Sequence, residues 1–202
     1  MSQQTENEDL KKQIFSTGIR VGTEIKTKFM TPFITKANPE GLYMLDLDIT
    51  LTRIQTAGRF IKKFDINRVL VYSGRSYCKT PIEKFCELTG AKMMLGRFMP
   101  GTLTNPSLSF YIEPQLIIIS DPRVDLQAIT EATNAGIPVI GIANTDNITS
   151  KLDLIIPANN RGRKSLATVY WLLAREILQD SKAMKYEIVD FETKTAEVEE
   201  EL

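Results

Sequence analysis

Histidine is absent from this sequence. Every mechanism that needs an imidazole as base, shuttle or metal ligand is therefore excluded, and zinc would be left with thiols and carboxylates. There are two cysteines, Cys78 and Cys86. If one helix spans both they lie about two turns apart, too far for a disulfide within it, so they read as reduced thiols of a cytoplasmic protein. No apolar run approaches the roughly 20 residues needed to cross a bilayer, and the polar, acidic N-terminus does not have the form of a signal peptide. No G-x-G-x-x-G follows any apolar run, which removes the common dinucleotide fingerprint.

Net charge is also missing: 25 basic residues balance 25 acidic ones. The balance hides an asymmetry. From Glu187 to Leu202 there are seven acidic side chains against Lys194 alone, and Glu6, Glu8 and Asp9 lie at the other end. Between Lys11 and Lys185 stand 24 basic and 15 acidic residues, a net of +9. A body of that sign suits phosphate attraction. The expected organisation is a flexible N-terminus over 1–9, one α/β domain over 10–186, and an acidic, disordered tail over 187–202.

What is present is an alternation of strand and helix. A short helix is expected over Leu10–Phe15. Apolar runs at Leu42–Leu47, Val69–Tyr72, Lys92–Leu95, Leu116–Ile119, Val139–Ile142 and Leu152–Ile156 read as strands. Apolar spacing predicts helices over Ile49–Phe64, Pro81–Thr89, Val124–Ala135 and Lys164–Leu178. Near-continuous Ile, Val and Leu strands separated by helices mean a parallel sheet covered on both faces. Right-handed crossovers then give a doubly wound, three-layer α/β sandwich.

Three stretches carry contact chemistry. In Lys26-Thr-Lys28-Phe29-Met-Thr-Pro-Phe33-Ile-Thr-Lys36, cations alternate with rings, a composition suited to a sugar–phosphate backbone. Gly96-Arg97-Phe98-Met99-Pro100-Gly101-Thr102-Leu103-Thr104-Asn105-Pro106 is neither helix nor central strand, because two prolines fix φ and remove donors. Asn159-Asn160-Arg161-Gly162-Arg163-Lys164 places three cations at a turn that opens a helix, where phosphate binds well.

The loop Gly96–Pro106 closely resembles one in the ribosomal protein S2 family, in its archaeal and eukaryotic branch. Further blocks resemble the same family in the same order. They are Ser120-Asp121-Pro122-Arg123, Gly136-Ile137-Pro138-Val139 through Asn144-Thr145-Asp146-Asn147, and Ile156-Pro157 through Asn159–Ala167 into Tyr170–Glu176. The match runs over roughly residues 17 to 178. It implies the flavodoxin-like form of the sandwich with five parallel strands, no cofactor and no small-molecule substrate. It also implies small-subunit ribosomal RNA and neighbouring ribosomal proteins as partners. The chain has no room for the bacterial helical hairpin or the long eukaryotic extension, so the resemblance points to an archaeal member. The cations expected on RNA are Arg20, Lys26, Lys28, Lys36, Arg53, Arg97, Arg161, Arg163 and Lys164; the family usually has histidine where Arg20 stands. Phe98, Met99, Pro100, Thr102, Leu103 and Thr104 are expected to meet a protein, being rich in apolar anchors and poor in charge. The alternative is that Phe98 and Leu103 fold back into the domain's own core.

A rival reading comes from Asp46-Leu-Asp48-Ile49-Thr50, which resembles the D-x-D-x-T motif of haloacid-dehalogenase-type phosphohydrolases. There the first aspartate is the nucleophile, the second a general acid, and Mg²⁺ bridges carboxylate and phosphate. Asp121 and Asp125 after another strand could complete an acidic site. Against it, Ile49 stands where that family commonly has glycine, and the matching stretches are short. The simpler reading is that Asp46 and Asp48 cap the following helix.

Overall fold

The computed structural model describes residues 12–178 and 186–193. The helix expected over Leu10–Phe15 is present across its described residues, with 12–16 helical; the N-terminal segment before residue 12 and the last residues of the acidic tail lie outside that range. Seven strands are present among the described residues: β1 (Ile34–Ala37), β2 (Tyr43–Leu45), β3 (Val69–Ser73), β4 (Lys92–Leu95), β5 (Leu116–Ile119), β6 (Val139–Ala143) and β7 (Leu154–Pro157). The main helices are α1 (Leu47–Ile61), α2 (Lys79–Thr89), α3 (Leu126–Asn134) and α4 (Arg163–Leu178).

The five strands β3 to β7 form one sheet in the order β4-β3-β5-β6-β7, and every pairing is parallel. This is the flavodoxin-like order, with the direction of winding reversing between β3 and β5. The doubly wound sandwich expected from the sequence is the fold. Alternation along each strand decides which layer a side chain joins. Val69, Val71, Leu116, Ile118, Ile140 and Ile142 pack under α1, α2 and α4. Leu70, Tyr72, Ile117, Ile119 and Val139 face the other way, towards α3.

Among the described residues that second face has one helix, because none forms in the crossovers from β4 to β5 and from β6 to β7. The loop between β4 and β5 takes a missing helix's place. Phe98 stacks edge-on against Tyr72 with ring centroids 5.2 Å apart, and Phe98 and Leu103 join the cluster over the sheet. The expectation that Phe98, Thr102 and Leu103 present an outer surface is therefore corrected: they are 7%, 1% and 2% exposed. Without them Leu70 and Tyr72 would be open to water.

Two further expectations change. The run at 42–47 is not a strand of the parallel sheet. Tyr43–Leu45 pairs antiparallel with Ile34–Ala37 as a separate two-stranded ladder, turned through Gly41, whose φ of 85° suits glycine. Its Leu45 packs with Met30, Phe33 and Ala143 in a small third cluster. The acidic tail does not begin at residue 187 either. A capped 3₁₀ turn over Ile188–Phe191 buries Ile188 and Phe191. Trp171 Nε1 donates to the carbonyl of Tyr186 at 3.0 Å, and Thr193 Oγ1 donates to that of Tyr77 at 2.7 Å. Apolar residues inside an acidic stretch fold it back onto α4 and α2.

Candidate nucleic-acid interface

The carboxyl ends of β3, β5, β6 and β7 are tied together by a buried polar network. Arg75, just after β3, donates two hydrogen bonds to Asp121 Oδ2, at 2.8 and 2.6 Å. Asp121 follows β5 and is 2% exposed; its Oδ1 accepts from Asn147 Nδ2 at 3.2 Å. Asn147 Oδ1 in turn accepts from Asn160 Nδ2 at 3.0 Å and from the Asn144 amide at 2.6 Å. One chain of bonds thus spans four loops, and buried hydrogen bonds linked in this way favour a single geometry, although Asn160 Oδ1 is buried without a partner. Asp125 closes the crevice at the switch point, accepting from the amides of Gly74 (2.8 Å) and Asp121 (3.3 Å). Burial pushes its carboxyl up to about 7, and the Asp121 charge adds to that, against the hydrogen bonds and Arg75, which pull it down.

On this frame the N-terminal segment is laid across the ends of β6 and β7. The Thr23 amide donates to Thr145 Oγ1 at 2.9 Å, the Thr27 amide to the carbonyl of Thr145 at 2.9 Å, and Thr27 Oγ1 to that of Asn147 at 2.9 Å. Asn159, after β7, reaches back: its amide donates to the carbonyl of Ile19 and its Nδ2 to that of Gly18 at 3.2 Å. Two stretches far apart in sequence are brought side by side, so Arg20, Lys26 and Lys28 share the edge that carries Arg161, Arg163 and Lys164.

Arg20, Lys26 and Arg53 are steered by neighbouring groups. Arg20 donates to the carbonyl of Leu45 at 3.2 Å and lies 5.0 Å over the Phe15 ring. Lys26 sits 4.9 Å over Tyr43, and Arg53 lies 5.4 Å over Phe33. Lys28, Lys36, Arg161 and Lys164 are exposed, Arg163 partly so. The turn at 159–162 is rigid: Asn159 Oδ1 accepts from the amides of Arg161 (3.0 Å) and Gly162 (3.3 Å), while Ser165 Oγ donates to its carbonyl at 2.6 Å. These two amides are consequently spent on Asn159.

Sequence reasoning missed Arg123 and Asp146. The Asp146 side chain is 6% exposed and its Oδ2 holds both Arg123, at 3.4 Å, and Arg161. The two arginines line a cleft of about 480 Å³ together with residues 21–25, Asn144 and Asn159. The sequence signal was the place of Arg123 in the Ser120–Arg123 block and of Asp146 in the Asn144–Asn147 block. Arg97 stands apart, after β4 at the opposite edge of the sheet, four strand spacings or about 19 Å from β7.

Among the described residues, neither the D-x-D-x-T aspartates nor the cysteines are arranged for turnover. Asp46 sits at the end of β2, outside the parallel sheet, and its Oδ1 accepts from the amides of Asp48 (2.9 Å) and Ile49 (3.2 Å) as the N-cap of α1. Burial pushes Cys78 and Cys86 up to about 12, so neither is a thiolate nucleophile.

Comparison with known proteins agrees with this geometry. The family model described as Ribosomal protein S2 matches residues 109–180. Small ribosomal subunit protein uS2 of Nitrosopumilus maritimus is 70% identical, covering 98% of this chain and 99% of its own length. The proteins of the same name from Cenarchaeum symbiosum and Thermofilum pendens are each 54% identical, over 98% and 81% of this chain and 98% and 77% of their own lengths. Identity of this extent over 98% of the chain places it in the ribosomal protein S2 family.

Proposed function

We propose that this chain is a structural constituent of the small ribosomal subunit, holding small-subunit ribosomal RNA and neighbouring ribosomal proteins without catalysing a reaction. The supporting observation is the joining of two cationic stretches, Arg20–Lys28 and Arg161–Lys164, through Asn159, Thr145 and Asn147 onto one braced edge. Phosphates supply affinity there, and Phe29, half exposed at 50%, offers a ring to a sugar or base. Lys36 and Arg53 extend the surface beyond the hairpin. The phosphohydrolase reading falls with the family assignment, since Asp46 is spent as a helix cap.

The test is salt dependence. Arg161→Ala with Arg163→Ala and Lys164→Ala should fold normally and bind a small-subunit RNA fragment with a log K against log salt slope shallower by up to about 2 to 3 units. A slope equal to the parent's overturns the reading.

The loop Gly96–Pro106 is the second contact, and it meets a protein. With Phe98 and Leu103 committed inward, its outer face is Arg97, Met99, Pro100 and Thr104, with Met99 51% exposed. A single cation beside an apolar knob suits a protein surface better than a phosphate backbone. The residues beyond Thr193 remain assigned to an acidic tail, and the protein's place is the ribosome in the cytoplasm.

A further inference from the structure

The carboxylate of Glu131 lies on α3, away from the basic edge, and is 5% exposed. A buried carboxylate on a helix facing a sheet would ordinarily cost stability. Here it accepts from four donors. The Gly101 amide approaches Oε1 at 2.8 Å and the Leu103 amide Oε2 at 3.2 Å. Thr104 Oγ1 is 3.5 Å from Oε2, and Gln127 Nε2, one turn earlier on the same helix, donates to Oε1 at 2.9 Å. Three of the four donors belong to the loop between β4 and β5. Burial pushes the Glu131 carboxyl up, and these hydrogen bonds outweigh it, leaving it below its usual range and charged.

The loop's own design points to the same anchor. Gly101 adopts φ 92°, and a Cβ there would lie 2.7 Å from Leu108 Cδ1. Thr102 Oγ1 donates to the carbonyl of Met99 at 2.6 Å, and Tyr72 Oη donates to that of Gly96 at 3.0 Å. Met99 and Pro100 therefore ride on a turn gripped at both ends, between the Tyr72 hydroxyl and the Glu131 carboxylate. Arg97, beside them, makes no ion pair among the described residues.

We infer that Glu131 is the positioning residue of this contact: it touches no partner, and holds Arg97, Met99 and Pro100 in the shape that a neighbouring protein with an apolar hollow edged by carboxylates receives. This rests on the reading of the loop as a protein contact. A loop already ordered loses little entropy on docking, which is how a small surface with one cation can hold. The helical crossover that the fold lacks at this point would have offered no such knob. Glu131 turns a covering segment into a recognition element.

The test uses the full-length chain and small subunits reconstituted with and without it, with three variants. Glu131→Ala removes the acceptors, Glu131→Gln keeps one oxygen at equal volume, and Met99→Asp alters the outer face alone. Amide exchange at Gly101 and Leu103 should speed up by about tenfold or more in Glu131→Ala, with the β5 amides as protected as in the parent. That variant should bind isolated RNA with the parent's salt slope, yet wash off reconstituted subunits at lower salt; Glu131→Gln should fall between. Met99→Asp should wash off equally with its exchange pattern unchanged. If Glu131→Ala stays on the subunits like the parent, or its β5 amides lose protection along with the loop, Glu131 is a core support and the inference is overturned. If Met99→Asp also stays bound, the underlying reading of the loop fails as well.

Discussion

Gly22 and Thr145 are packed so closely that no side chain fits between them. A Cβ on Gly22 would lie 2.5 Å from Thr145 Cγ2 and 2.4 Å from the carbonyl oxygen of Tyr43. The second obstacle is backbone and cannot swing aside. Gly22→Ala should therefore lift the N-terminal basic segment off the ends of β6 and β7, at about 1 to 3 kcal/mol. Chemical denaturation gives the cost. RNA affinity should fall with it although no cation has been removed, and unchanged affinity would dissociate the segment's seat from RNA binding.

Phe98 and Leu103 are core residues in loop clothing. Phe98→Ala should cost about 3 kcal/mol or more, and Leu103→Ala about 2 or more, because each leaves a cavity over the sheet where no helix can close in. Thermal melts of the isolated protein measure this before any partner is present. Losses below about 0.5 kcal/mol would mean that the loop does not cover Tyr72 and Leu70 in solution.

Phe191→Ala tests the folded part of the acidic stretch. Phe191 is fully buried and packs edge-on to Tyr186 with ring centroids 6.5 Å apart. Its truncation should destabilise by about 3 kcal/mol. A chain ending at residue 185 should show a similar or larger loss. If both are as stable as the parent, the turn at Ile188–Phe191 adds nothing to the fold.

Asp125 makes a prediction about pH. Its carboxyl rises from 3.8 to about 7 in the folded protein, chiefly through burial. The folded state thus holds this proton more tightly than the unfolded chain does. The stability it contributes is complete below pH 3.8 and is lost as pH rises through about 7, with a slope no steeper than about 1.4 kcal/mol per pH unit. The stability difference between parent and Asp125→Asn, followed by urea unfolding from pH 4 to 8, should narrow as pH rises. A difference independent of pH would place the Asp125 carboxyl in the ordinary range.

The parallel sheet could be read from the sequence because buried parallel strands are apolar without interruption, as Leu116–Ile119 and Val139–Ala143 are. Tyr43–Leu45 misled for the same reason: a short apolar run looks alike in a central strand and in a hairpin, and only its pairing with Ile34–Ala37 distinguishes them. The folded tail had a faint signal in Ile188 and Phe191 at helical spacing, masked by the acids around them. At the basic edge, exposed cations announced themselves, since they need no partner to be recognised. Arg75, Arg123, Asp146 and Glu131 did not. Their meaning lies in bonds to residues 46, 23, 15 and 28–30 positions away, which no local pattern encodes.

The bonds from Thr23 to Thr145 and from Thr27 to Asn147 span 122 and 120 residues. A ribosome making this chain exposes Lys26 and Lys28 long before Thr145, Asn147 or Arg161 exist. An incomplete chain therefore carries many of the charges but not the face. On the proposed function, the grip on RNA is acquired late, at the moment the last strands of the sheet close. Charge alone does not select this protein's place; the finished fold does.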